Sequence, residues 1–129
     1  PPVIISEIMF NPDGDENARE FVELLNTTDR DVSLKGYRIG DGAAFDAVIP
    51  ASGGGWTIPA RGFAVVFDPD YFTAGAPYAN LPSGAALFTV TDKAIGLRGL
   101  SNSTPETVYL VSAAGDTLSK VGYSADCPA

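Results

Sequence analysis

The stretch Thr107-Val108-Tyr109-Leu110-Val111-Ser112-Ala113-Ala114-Gly115-Asp116-Thr117-Leu118-Ser119-Lys120-Val121-Gly122-Tyr123 decides the fold class. Val108 and Leu110 alternate with Thr107, Tyr109 and Val111; Leu118, Lys120 and Gly122 alternate with Ser119, Val121 and Tyr123. The alternation is of size as much as of polarity, with the period of two that a strand imposes on its side chains. Ser112 to Asp116, between the two runs, is turn chemistry with a glycine near its end. The pattern predicts a β-hairpin over residues 107–123.

Outward from this hairpin the same grammar repeats. Short apolar bursts, rich in β-branched and aromatic residues, occur at Val3–Phe10, Glu20–Asn26, Gly36–Ile39, Gly62–Phe67 and Ala86–Val90. Turn clusters separate them: Asn11-Pro12-Asp13-Gly14-Asp15, Asp41-Gly42, Ser52-Gly53-Gly54-Gly55 and Asp68-Pro69-Asp70. Several short strands with turns between them point to a sandwich or barrel. One segment stays open on periodicity alone. Apolar side chains at Ala18, Phe21, Val22 and Leu25 have helical spacing, with Asp15 placed as an N-cap, yet Asn26-Thr27-Thr28 stops the run early. The stretch 68–86 is long and irregular, and carries Tyr71, Phe72 and Tyr78. Loops of that length are uncommon unless they bind something or pack as a unit.

Composition narrows the function. The 129 residues suit one domain over 1–129, and 45% are apolar, enough for a core. Fourteen glycines and ten prolines serve long helices poorly. Eight basic against sixteen acidic residues leave a net charge of −8, which argues against nucleic acid and anionic lipid as partners. No histidine is present, so Ser-His-Asp and Cys-His chemistry and His-ligated zinc are excluded. The lone Cys127 forms no internal disulfide. No apolar run approaches the ~20 residues of a membrane-spanning helix, so direct membrane insertion is not expected. The chain opens on Pro1-Pro2, without methionine or signal peptide, and is expected to be a piece of a longer protein.

Ile4-Ile5-Ser6-Glu7-Ile8-Met9-Phe10-Asn11-Pro12, followed by Glu20-Phe21-Val22-Glu23-Leu24 and Asn26, resembles the opening of the lamin-tail domain family. Val32-Ser33-Leu34-Lys35-Gly36-Tyr37-Arg38-Ile39 with Asp41-Gly42 is similar to the family's next element, with Tyr37 in place of the usual Trp. Ile58-Pro59-Ala60-Arg61-Gly62-Phe63-Ala64-Val65-Val66 resembles its turn and following strand, and Leu100-Ser101-Asn102 with residues 108–123 its closing hairpin. The likeness spans residues 3 to 123. It implies an all-β, immunoglobulin-like β-sandwich in which 20–25 is a strand. It also implies a non-catalytic module. With no heptad stretch, the chain looks like the bacterial, extracytoplasmic versions, secreted or associated with the cell envelope. Its expected partners are other domains of its parent protein or an envelope component.

Three groups of residues are candidates for chemistry. Asp13, Asp15 and Asn17 alternate across a flexible turn, as calcium loops begin, and Glu20 would add a carboxylate. A full EF-hand fails, because the twelfth position from Asp13 is Leu24. The plain alternative is a solvated acidic turn, and no cofactor is otherwise expected. Residues 1–35 hold eight acids against three bases, −5 of the total −8. Such a run is ordinarily a solvated face, or else a surface for a basic partner. Glu7 and Glu23 sit inside apolar bursts; on neighbouring strands they would suit a glycoside hydrolase, or would pair with Arg19 or Arg38, or point outward from a sheet. Tyr71, Phe72 and Tyr78 form a candidate ligand or partner surface, or pin their own loop. Phe21, Tyr37, Phe63 and Phe67 read as core. Asn26-Thr27-Thr28 and Asn102-Ser103-Thr104 match the N-glycosylation acceptor pattern, and in a bacterial protein read as turn residues only. A calcium-stabilised adhesion or carbohydrate-binding module is the alternative reading of the whole.

Overall fold

A computed structural model of the chain describes residues 2–9, 21–41, 44–51, 55–67, 86–91 and 106–123. They form ten strands: β1 (Val3–Met9), β2 (Phe21–Asn26), β3 (Val32–Ser33), β4 (Arg38–Gly40), β5 (Phe45–Pro50), β6 (Thr57–Ile58), β7 (Phe63–Phe67), β8 (Ala86–Val90), β9 (Glu106–Val111) and β10 (Thr117–Tyr123). No helix occurs among the described residues. Eight strands join in the order β1-β2-β7-β8-β5-β4-β9-β10, and β3 pairs with β6 alone. Every pairing is antiparallel except β7 with β8. A parallel pair needs a crossover of about a dozen or more residues. That requirement accounts for the length of the 68–86 connection.

The two end strands of this order meet. The Ile5 amide donates to Ser119 Oγ at 3.1 Å, joining β1 to β10. Each strand has a register shift at this seam, β1 between Ile5 and Glu7 and β10 between Thr117 and Ser119. A bulge bends a strand and raises its twist. Here the two bulges bend the sheet ends toward each other, and the strands enclose one core as an all-β sandwich.

Alternation builds that core. Val3, Ile5, Val22, Leu24, Ile39, Val48, Ala64, Val66, Phe88, Val90, Val108 and Leu110 all point inward and are buried. Fully burying one such Val, Leu, Ile or Phe side chain contributes about 1.5–3 kcal/mol. The hairpin forms as its pattern requires, with Gly115 at φ 94° closing a short loop in which its amide donates to Ser112 O at 2.9 Å.

The helical spacing around 18–25 does not survive in the part described: Phe21–Asn26 is a strand. Its odd pattern has a physical cause. Strand β2 is central, between β1 and β7, and its outer face is half-buried at Glu23 and Leu25 and covered at Phe21. Val22 and Leu24 fill the core, while on the other face Phe21 packs edge-on against Phe67 at 6.1 Å between ring centroids. The partly covered outer face adds apolar residues, Phe21 and Leu25, out of the core-facing phase, and these mimic a helix. Of the other aromatics expected inside, Phe67 is fully buried, and Tyr37 and Phe63 are half-buried.

Candidate functional site

The end of the sandwich that carries loops 27–31 and 58–62 is tied to the core by one side chain. Asn26 ends β2 and is 0% exposed. Its amide nitrogen donates to Arg30 O at 2.7 Å, Pro59 O at 3.1 Å and Ile58 O at 3.2 Å. Its oxygen accepts from the Thr28 amide at 3.0 Å and the Thr28 hydroxyl at 2.7 Å. A buried amide is tolerated only when its donors and acceptors are met; here both sides are met by two loops at once. Further bonds cross the same gap: the Arg61 amide donates to Thr28 O at 2.9 Å, and the Ala60 amide to Asp31 Oδ1 at 3.1 Å.

This corrects the reading of Asn26-Thr27-Thr28 as turn residues and nothing else. Asn26 is a strand residue and an internal brace, and its Nδ2, the atom a glycan would occupy, is taken up inside the fold. The second acceptor pattern, at Asn102, lies outside the described residues. Within the braced end Arg61 has φ 58° and is exposed. Gly62 N bonds Pro59 O at 2.8 Å, so Arg61 is the third residue of a tight turn, where a glycine is free of strain. A non-glycine residue in that conformation costs about 1–2 kcal/mol.

Glu7 and Glu23 are brought together. They are direct cross-strand partners on β1 and β2. Opposed residues of an antiparallel pair have Cβ atoms about 4.5–5.5 Å apart, and like charges there repel. The Ser6 hydroxyl donates to Glu23 Oε1 at 2.8 Å. Arg38 is not their partner: it sits on β4, which adjoins neither β1 nor β2 in the sheet. Arg19 lies outside the described residues. The two carboxylates stand side by side, Glu7 exposed and Glu23 half-buried. A glycosidase instead encloses the sugar between its carboxylates, one on each side of the bond to be cut.

The face made by β5, β4, β9 and β10 holds a feature that the sequence reading passed over. Phe45 is 41% exposed. Its ring lies 6.0 Å from that of Tyr109, centroid to centroid, tilted by 53°. Between them Gly40 is the register partner of both. A Cβ on Gly40 would collide with Ala44 O and stand 2.9 Å from the Phe45 ring. Glycine therefore lets the two rings close over its backbone. Lys120 is opposite Tyr109 on β10 and is exposed. Arg38, two residues from Gly40 and so on the same face, is also exposed. Beside them Tyr109, Thr117, Leu118, Ser119 and Lys120 line an open groove of ≈ 380 Å³. The signal for this face was available: Gly40, Phe45 and Tyr109 align once β4, β5 and β9 are paired. Pairing, however, is set by tertiary contacts and not by local pattern.

Asp13, Asp15, Asn17 and Glu20, and likewise Tyr71, Phe72 and Tyr78, lie outside the described residues. Among the described residues no cluster of three or more His, Cys, Asp or Glu side chains is placed to hold a metal ion. No described helix is long and apolar enough to cross a membrane.

A search of curated proteins gives no match to this chain. A family model does match it, over residues 1–125, and its description is Lamin Tail Domain. That span takes in all ten strands, the braced end and the aromatic face. The chain therefore belongs to the lamin tail domain family, whose immunoglobulin-like fold is non-enzymatic.

Proposed function

We propose that this chain is a non-catalytic interaction and tethering module of a larger secreted or envelope-associated bacterial protein. Family membership supports the non-catalytic part of this reading. The observation that supports a binding role is the double brace at Asn26. Surface loops that bind are most effective when a rigid scaffold fixes them, and here two loops are held to the core and to each other by one buried side chain. The partner is another domain of the parent protein or a component of the envelope. The module needs no cofactor, binds no nucleic acid and does not enter the bilayer.

Cell fractionation tests the reading. The parent protein is followed in its host with residues 1–129 present and deleted. The parent is expected in the envelope fraction when they are present and in the soluble fraction when they are deleted. An unchanged distribution would refute tethering. A calcium titration addresses the alternative module: the melting temperature is expected to be equal in calcium and in chelator. A rise with calcium concentration would instead favour a calcium site at Asp13, Asp15, Asn17 and Glu20.

A further inference from the structure

We infer that the outward face of β5-β4-β9-β10 is a binding site for a short acidic sugar chain, a uronic acid oligosaccharide. The inference rests on the non-catalytic binding role proposed above and names a ligand class for it.

Phe45 supplies an exposed ring and Tyr109 a half-buried one beside it, and sugar rings stack their C–H faces on aromatic rings. Phe45 is the one exposed large apolar side chain among the described residues. The groove beside Tyr109 has the volume of a small-ligand cleft, which starts near 300 Å³. Its lining mixes apolar and polar surface. Thr117, which is exposed, brings a hydroxyl suited to a sugar's own. Ser119, the register partner of the inward Leu110, turns its Oγ to the β1 seam, where it accepts from the Ile5 amide.

Charge selects an acid. The chain carries −8, yet this face presents Arg38 and Lys120. The acidic residues on these four strands, Asp46 and Glu106, are the register partners of Ile39 and Tyr123, in the opposite strand phase from Phe45 and Tyr109. The neighbouring acids, Asp41 and Asp116, are in turns at the strand ends, and Asp41 Oδ1 accepts from the Ala44 amide at 3.1 Å. A long polyanion such as a nucleic acid would meet the repulsion of the whole chain. A short uronate places one or two carboxylates near Lys120 and Arg38 and leaves its hydroxyls and ring faces for the groove and the aromatics.

The probe is trigalacturonic acid, titrated into the chain and followed by amide chemical shifts and calorimetry. A neutral trisaccharide, a glutamate oligomer and a single-stranded oligonucleotide serve as comparisons. Trigalacturonate is expected to bind more tightly than any of the three and to shift the amides of Tyr109, Ser119 and Lys120. Lys120→Gln, at an exposed position, is expected to weaken binding about five-fold and to remove the preference over the neutral sugar. Phe45→Ala is expected to weaken acidic and neutral sugars alike, by about five-fold. Lys35→Gln, on another surface, is expected to change nothing. The inference is overturned by an absence of trigalacturonate binding, by equal or tighter binding of any comparison ligand, or by binding that both variants leave intact. Melting curves confirm that the variants fold. Failure here with envelope retention preserved removes the ligand class and leaves the tethering role standing.

Discussion

Two regions of this domain reverse the usual sorting of side chains. At the loop end a polar residue, Asn26, is fully buried; on the β5-β4-β9-β10 face a phenylalanine, Phe45, is 41% exposed. Each reversal has a different meaning. Burying an amide is costly unless every polar atom is satisfied, so a satisfied one holds a single geometry. Exposing a ring forgoes hydrophobic stabilisation, so a ring held in place over Gly40 is available to something outside the fold. The first region supplies rigidity, and the second supplies a surface.

The contrast breaks most visibly at Asn26. Asn26→Ala takes the Asn26 partner from the Thr28 amide and the Ile58 carbonyl, while Pro59 O keeps the Gly62 amide and Arg30 O the Thr28 hydroxyl. Unsatisfied buried groups cost about 1–3 kcal/mol each, with some relief from water, and a total loss of about 3–5 kcal/mol is expected in urea unfolding. A loss below about 1 kcal/mol would mean that the brace is not structural. The next largest effect falls on the aromatic face. Gly40→Ala drives a methyl into Ala44 O and the Phe45 ring, and about 1–3 kcal/mol is expected to be lost. A neutral Gly40→Ala in the same unfolding series would show that the rings do not close over that glycine.

How much of this could be read from the sequence differs between the regions as well. The hairpin 107–123 was legible because both its strands keep their period and Gly115 marks its turn. The family likeness was legible too, and with it the strand at 21–26 that periodicity left open. Strand β5 was not read, because Asp46 and Pro50 interrupt the apolar pattern of Phe45–Pro50. Asn26 looked like a turn residue because its local neighbours, Thr27 and Thr28, are turn formers. Its partners Ile58 and Pro59 are more than thirty residues away, and no local signal reports them. Glu7 and Glu23 on neighbouring strands, and pointing outward, were among the sequence's alternatives, and the register was needed to choose between them.

Two smaller effects sharpen the comparison. Arg61→Gly relieves the φ 58° strain at the braced end, offset by the larger entropy that glycine loses on folding. A net gain of about 0.5 kcal/mol is expected in the denaturation midpoint, and a loss would mean that the Arg61 side chain itself holds the turn. The smallest effect is at high pH. Burial raises the Tyr37 hydroxyl above its ordinary pKa of 10.0, because desolvation disfavours the phenolate. The folded state then holds that proton more tightly than the unfolded chain. Its stability contribution is complete below pH 10.0 and is lost as the pH rises through the folded-state value. Alkaline unfolding curves of Tyr37→Phe are expected to fall less steeply above that pH than those of the wild type. Identical curves would place Tyr37 in contact with water.

Native-state amide hydrogen exchange tests the rigid end most directly. The Thr28 and Arg61 amides belong to loops, and loop amides ordinarily exchange through local opening at little free-energy cost. Here Thr28 N is bonded to Asn26 Oδ1 and Arg61 N to Thr28 O. Their protection is expected to come within about tenfold of that of Val22 and Val66 in the core strands, about 1.4 kcal/mol in opening free energy. Exchange of both at the rate of an unstructured loop, with Val22 and Val66 still protected, would contradict the brace and the reading of a rigid end built on it.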